Sequence, residues 1–119
     1  MVLVDTSVWV THLRQGNKEL ETLLLEAEAA GHDFVIGELV CGRLKNRNEI
    51  LMLLQALPRI SVVTQEELLY FVEEHFLGGV GIGFVDVHLL ASAKLAGVPL
   101  WTFDKKLKLA AAKLGVLYA

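Results

Sequence analysis

The amino-acid sequence predicts a three-layer α/β/α sandwich around a five-stranded parallel sheet. Short apolar runs, beginning at residues 1–4, alternate with segments in which apolar residues recur at helical spacing. Runs that are apolar throughout are typical of parallel strands buried on both faces by helices. No repeat, low-complexity tract or linker interrupts the 119 residues, so we expect one domain over 1–119.

The elements of the first half follow the chain in order. A short helix over 6–14 comes directly after the first strand. Asn17 can cap a second helix, in which leucines recur at helical spacing. This helix is expected to end near Gly31. The apolar run 33–36 predicts the second strand, and 37–42 then turns into a helix.

The second half continues the alternation. A helix begins at Asn48 and is stopped by Pro58, because proline cannot continue a helix. Thr64 and Glu67 have the spacing of a capping box, which predicts the start of the next helix. Gly97 ends the helix that is predicted at 84–96. The remaining predicted elements are strands at 60–63, 99–103 and 116–118 and helices at 84–96 and 105–114.

Composition narrows the class of protein. Hydrophobic residues make up 54% of the chain and charged residues 21%, which is typical of a globular protein. The apolar runs are too short to span a bilayer, and the first residues lack the basic region of a signal peptide, so we expect a cytoplasmic protein without a membrane segment. The net charge of -3 argues against coating nucleic acid by charge alone, but it permits an enzyme with a local basic patch.

Four acidic residues stand apart from the others. Most of the 14 acids fit solvated helix faces, whereas four lie in apolar surroundings at expected strand ends or helix N-termini. In a parallel sheet these positions meet at one edge, where carboxylates repel one another and raise their pKa values or require a cation. Oxygen ligands suit Mg²⁺ or Mn²⁺. The four residues are Asp5, Glu38, Asp86 and Asp104.

Each of these acids alone has a structural explanation. Asp5 and Asp104 can cap helices, and Asp86 and Glu38 can oppose a helix dipole. Their expected convergence on one edge favours a metal site over four separate caps. Asp33 precedes its predicted strand, so we expect it at the opposite edge and leave it out of the site.

Hydroxyl and basic residues flank the acids. Ser7 and Thr102 are predicted to support the site by orienting a carboxylate or a metal-bound water, whereas Thr6 is a weaker candidate. We expect the single cysteine, Cys41, to be a core residue and the two tryptophans to pack rather than to stack on bases. Charge runs are usually solvated, but these basic residues can reach phosphates beside the site: Arg43, Lys45, Arg47, Lys105, Lys106 and Lys108.

The acidic motifs together resemble the PIN-domain ribonucleases, and among them the VapC-type toxins of toxin–antitoxin pairs. The motifs are Val-Leu-Val-Asp-Thr-Ser at the start, Ile-Gly-Glu-Leu-Val-Cys-Gly around Glu38, Gly-Phe-Val-Asp-Val-His around Asp86, and Trp-Thr-Phe-Asp at Asp104. The resemblance implies an endoribonuclease that uses Mg²⁺ or Mn²⁺, with the four acids as catalytic and metal-binding residues and Ser7 and Thr102 in support. It also implies an RNA substrate, a homodimer, and a VapB-like antitoxin that inserts a segment at the site.

Several alternatives stay open at this point. The chain could be a catalytically silent PIN-like binding module, or a PIN nuclease of RNA processing outside a toxin–antitoxin pair. A phosphatase of the haloacid dehalogenase type would use Asp5 as nucleophile and a second acid two residues later, where this chain has Ser7. A phosphoacceptor receiver domain is disfavoured because the third predicted strand ends at Val63 and Thr64 without an aspartate.

Overall fold

A three-stranded parallel sheet forms the centre of the protein, for which a computed structural model describes residues 1–119. Strand β1 (Val2–Val4) lies between β2 (Ala29–Ala30) and β3 (Leu100–Trp101). Leu3 is paired with Ala30 on one side and with Leu100 on the other. All seven strand residues are buried, as the apolar runs predicted for β1 and β3.

Seven helices surround this sheet, and most begin at a side chain that caps them. Asp5, Asn17, Thr64 and Asp104 each accept a hydrogen bond from a backbone N–H of the helix that follows. The predicted capping box of Thr64 and Glu67 is confirmed, with both of its hydrogen bonds formed. The helices are α1 (Thr6–Gln15), α2 (Lys18–Leu25), α3 (Asp33–Cys41), α4 (Arg47–Ala56), α5 (Gln65–Glu74), α6 (Phe84–Ala96) and α7 (Lys105–Lys113).

The prediction of five strands is confirmed in part, because only three form. The predicted fifth strand contributes one parallel bridge at the margin of the sheet, and the residue directly before the predicted third strand contributes another. Gly31 bridges Arg59 beside β2, and Leu100 bridges Leu117 beside β3. The amide of Ile60 donates to the carbonyl of Gly31 at 2.9 Å. The pairing is parallel throughout, as expected, but the outermost segments of the sheet do not form continuous hydrogen-bonded strands.

The predicted second strand at 33–36 is wrong, because these residues form the first turns of α3. On that side of the sheet β1 pairs instead with β2, the two alanines that precede the run 33–36. His32 ends the extended segment by accepting a hydrogen bond from the amide of Phe34 through its Nδ1 atom, at 3.1 Å. The second helix also stops earlier than predicted, at Leu25, and Ala27 then adopts a left-handed conformation with φ of 56°.

Two further expectations are corrected by this change. Asp33 follows β2 rather than preceding a strand, so it lies beyond the carboxyl end of the sheet and not at the opposite edge. There its Oδ1 pairs with Arg59 Nη1 at 3.1 Å, on the surface. Cys41, expected in the core, is exposed because it is the last residue of α3 before the chain turns at Gly42.

The hydrophobic core is one cluster of 24 buried residues that extends from Val2 to Val116. Trp9 and Trp101 both belong to it, which confirms that they pack in the interior. The helices contact one another in two groups, α3 with α1 and α4, and α6 with α5 and α7. None of the helices combines the length and the hydropathy that a membrane crossing requires.

Candidate active site

Asp5 lies where β1 ends and α1 begins, and it is buried. One of its carboxylate oxygens, Oδ2, accepts three hydrogen bonds. Ser7 Oγ and Thr102 Oγ1 each donate to it at 2.7 Å, and the amide of Ser7 donates at 3.4 Å. The other oxygen, Oδ1, accepts no hydrogen bond from the protein. One side of the carboxylate is therefore fixed, and the other is available to a ligand.

Ser7 and Thr102 connect the end of β1 to the start of α7. Their hydroxyl oxygens lie 3.3 Å apart. Ser7 Oγ also accepts from the amide of Phe103 at 3.0 Å, and Thr102 Oγ1 accepts from the amide of Asp104 at 3.0 Å. The two residues predicted to support the site thus contact Asp5 directly and hold the backbone beside Asp104. Their supporting role in chemistry stays a prediction.

Asp104 follows β3 and caps α7, as its position after an apolar strand predicted. Its Oδ1 accepts a hydrogen bond from the amide of Leu107 at 2.9 Å. The residue is exposed, and its own helix occupies one carboxylate oxygen. The structural role that we weighed for Asp104 therefore exists, and it leaves one carboxylate oxygen for further ligands.

Glu38 reaches the site by a different route from the one expected. It is neither at a strand end nor at a helix N-terminus, but midway along α3. Helix α3 packs against α1, and Thr6 Oγ1 donates to Glu38 Oε1 at 2.6 Å. Thr6, the weakest hydroxyl candidate in the sequence, is thus the residue that holds this acid. Because the two residues are 32 positions apart, no local sequence pattern predicts this hydrogen bond.

Asp86 lies in the first turn of α6, and the other three acids act on its charge. Burial contributes most, followed by the charges of Asp5, Asp104 and Glu38, and together they raise the pKa of Asp86 to about 6. The four carboxylates therefore converge at the carboxyl edge of the sheet. Their mutual repulsion is the electrostatic condition that a bound cation relieves.

The donor set fits a hard divalent cation, although no three of these side chains are arranged as a finished metal site. All four residues offer carboxylate oxygens, the ligands that Mg²⁺ and Mn²⁺ prefer. Three of them are partly engaged within the protein, Asp5 by Ser7 and Thr102, Glu38 by Thr6, and Asp104 by its own helix. Binding of a cation by three or more of these side chains would require them to rearrange.

Residues 2–113 match the family model of the PIN domain. The chain belongs to the PIN-domain family. Two curated relatives, both named Ribonuclease VapC32 and from two strains of Mycobacterium tuberculosis, are 48% identical over 120 residues, which covers all of this chain and 97% of theirs. The crystal structure of PAE2754 from Pyrobaculum aerophilum matches with a TM-score of 0.63 at 18% identity, over 96% of this chain and 88% of that one, and supports the fold.

A groove of about 550 Å³ leads away from the acids of this PIN domain. Thr6 and Glu38 lie at one part of it, and apolar side chains from α1, α3 and α4 form its floor. Cationic residues also line it, two of which were noted in the sequence beside Glu38. The lining cations are Arg14, Arg43 and Lys45. The fourth basic residue of this region, Arg47, instead donates to the carbonyl of Val40 at 2.7 Å.

A buried polar cluster between α3 and α6 of this PIN domain was not predicted from the sequence. His32 Nε2 lies 3.0 Å from Ser92 Oγ, and both residues are buried. Burial lowers the pKa of His32 to about 4, so the ring is neutral near pH 7. His88 is also buried, and its Nδ1 has no hydrogen-bond partner. The spacing of the histidines in the sequence does not predict this packing between α3 and α6.

The raised pKa of Asp86 predicts a pH-dependent effect of Asp86→Asn in metal-free protein. The carboxyl ionises near 3.8 in the unfolded chain and near 6 in the folded one, so the folded state holds the proton over this range. The parent therefore loses stability relative to the variant as the pH rises from about 4 to about 6, and the difference levels off above that.

Thermal unfolding of both proteins in chelator, at several pH values from 4 to 8, measures this difference. The opposite effect of the depressed pKa of His32 cancels, because both proteins contain that residue. A difference in unfolding temperature that stays constant over the range would contradict the prediction.

Proposed function

We propose that this PIN-domain protein is a metal-dependent endoribonuclease that hydrolyses RNA phosphodiester bonds, and that it is the toxin of a VapBC-type toxin–antitoxin pair. The observation that carries the proposal is the convergence of Asp5, Glu38 and Asp104 on Asp86. The full-length similarity to proteins named Ribonuclease VapC32 supports the assignment to RNA. The identity over the whole chain also favours a toxin over a PIN nuclease of RNA processing.

In this proposal the four acids hold Mg²⁺ or Mn²⁺, directly or through water. When bound, a divalent cation supplies Lewis acidity that lowers the pKa of water and offsets charge at the phosphate. Ser7 and Thr102 act as positioning residues, since their hydroxyl groups hold Oδ2 of Asp5 and leave Oδ1 for the cation. Thr6 holds Glu38 in the same way through Oε1.

The same charges explain why the cation and the substrate depend on each other. Four carboxylates at one edge repel a phosphodiester unless a cation lies between them. Once it is bound, the lining cations Arg14, Arg43 and Lys45 extend the favourable potential along the groove, where phosphates of the same RNA strand can contact them. A chain with a net charge of -3 can thus bind RNA locally.

We also propose a VapB-like antitoxin that inserts a segment at this site. The groove beside Glu38 offers apolar contacts from Val10, Leu13 and Leu39 next to its cations, which suits a peptide with apolar and acidic or polar side chains. A homodimer and a cytoplasmic location complete the proposal. Sedimentation equilibrium of the purified protein tests the dimer, and the neighbouring reading frame tests for a small DNA-binding protein with a tail that fits the groove.

Cleavage of total cellular RNA tests the central proposal. The purified protein is incubated with the RNA in Mg²⁺, in Mn²⁺ and in chelator, and the new 5′ ends are mapped. We expect defined cuts with either metal, none in chelator, and recovery when metal is restored. Absence of cleavage together with absence of Mn²⁺ binding in calorimetry would contradict the proposal and favour a catalytically silent binding module.

A further inference from the structure

We propose that Phe84, backed by Phe34, forms a stacking subsite for one unpaired base of single-stranded RNA beside the acid cluster. This inference rests on the proposed ribonuclease function and adds a specific contact for the substrate beside the acids. Phe84 is the first residue of α6 and is 60% exposed. A single exposed apolar side chain is common on protein surfaces, so exposure alone carries no argument. What distinguishes Phe84 is the position of its ring and the packing that holds it.

The two phenylalanines flank two of the four acids. Phe84 is two residues before Asp86 in α6. Phe34 is four residues before Glu38 in α3, so the two share one face of that helix, about 6 Å apart along its axis. Phe34 and its stacking partner Phe84 therefore lie beside Glu38, whereas Phe84 and Asp86, two positions apart, project from different sides of α6. A nucleotide next to the reacting phosphate comes within reach of this surface.

Two neighbouring rings, those of Phe34 and His88, pack against the ring of Phe84. Its centroid lies 6.4 Å from that of Phe34, and the two ring planes are inclined by only 27°. The buried ring of His88 meets both of them edge-on, each at 4.7 Å and 74°. His88 is one helical turn after Phe84, so it supports the ring from the same face of α6. An exposed ring with two packed neighbours, Phe34 and His88, is a pre-organised surface, and little side-chain entropy is lost when a ligand binds to it.

A base is the part of RNA that this site can hold without opposing its charge. Carboxylates repel phosphates, whereas stacking between a base and an aromatic face depends little on net charge and on base identity. Sequence-specific enzymes that act on RNA commonly receive unstacked bases on aromatic side chains, which requires a single strand, loop or bulge. The geometry therefore points to an unpaired substrate rather than to an RNA duplex.

Binding of a labelled oligoribonucleotide tests this inference. The probe is a fluorescein-labelled single strand of mixed sequence, titrated with the Asp5→Asn protein so that it is not cut, and its duplex serves as comparison. Phe84→Ala in this background is expected to weaken single-strand binding roughly tenfold. Phe84→Leu, which keeps apolar bulk but has no aromatic face, is expected to behave like Phe84→Ala, and Phe84→Trp to restore binding.

Leu95→Ala is the matched control. Leu95 is on the same helix and is 62% exposed, but it lies roughly 16 Å from Phe84 along the helix axis. Its substitution is expected to leave single-strand binding unchanged. Circular dichroism of each variant establishes that α6 is intact.

The outcomes separate this inference from the function on which it rests. Cleavage of RNA by the parent together with unchanged binding by Phe84→Ala and Phe84→Leu would overturn the stacking subsite and leave the ribonuclease standing; the exposed ring would then belong to a protein partner. A parent that binds single strands through Phe84 but cuts no RNA would support the subsite and contradict the nuclease. An equal loss of duplex binding in Phe84→Ala would also overturn the preference for unpaired RNA.

Discussion

Asp5→Asn is expected to reduce RNA cleavage by roughly a hundredfold or more, with the unfolding temperature at or above that of the parent. Substituting groups that only orient metal ligands already costs about 10- to 100-fold in metal affinity or activity. Asp5 is proposed to contact the metal itself, so its loss has a larger effect. In the metal-free protein the substitution also removes one of the charges that raise the pKa of Asp86.

The hydrogen bonds of Asp5 explain why the fold survives this change. All three internal bonds end on Oδ2, and the carbonyl oxygen of asparagine can accept each of them. The amide nitrogen then takes the place of Oδ1, which has no partner in the protein and is the oxygen left for the cation. Activity and stability therefore respond to different atoms of one carboxylate.

Asp33→Asn is the control for Asp5→Asn, because it removes a carboxylate beyond the same edge of the sheet. Asp33 is exposed and pairs with Arg59, and exposed ion pairs contribute about 1 kcal/mol or less. We expect near-parental cleavage from this variant. Initial rates on one RNA and circular dichroism melting of both variants make the comparison. An Asp5→Asn protein that cuts RNA as fast as the parent would remove Asp5 from the proposed site.

Trp9→Ala is expected to destabilise the protein by about 3–5 kcal/mol, the usual cost of truncating a large aromatic side chain in a core. Trp9 is fully buried at 0% exposure in α1. Its amide donates to the carbonyl of Asp5, so the helix that carries it also positions the acid. The free energy of unfolding of a small domain is about 5–15 kcal/mol in total, so this substitution removes a large part of it.

Trp9→Phe separates the volume of the side chain from its polar atom. The indole Nε1 of Trp9 is buried without a hydrogen-bond partner, which is a cost to the parent. Phenylalanine removes that atom and keeps most of the apolar volume, so we expect a smaller loss than for alanine. Urea unfolding curves of the three proteins measure the difference. Equal stability of the alanine and phenylalanine variants would contradict this account of the core.

Features that depend on a few neighbouring residues could be predicted from the sequence. The capping box of Thr64 and Glu67, the end of α6 at Gly97 and the caps at Asp5 and Asp104 are confirmed because each needs only contacts within a helical turn. The placement of Asp5 and Asp104 at one edge was also predictable, since both follow parallel strands, whereas Glu38 lies midway along α3 and Asp86 follows no strand.

Only the tertiary structure decided which short apolar segments became strands and how the acids are held. The run 33–36 has the composition of a strand, yet the pairing position beside β1 is taken by Ala29 and Ala30, and the run starts α3. The contacts of Glu38 with Thr6 and of Asp5 with Thr102 join residues 32 and 97 positions apart. Local periodicity cannot specify such pairs, because burial and hydrogen bonding between distant segments decide them.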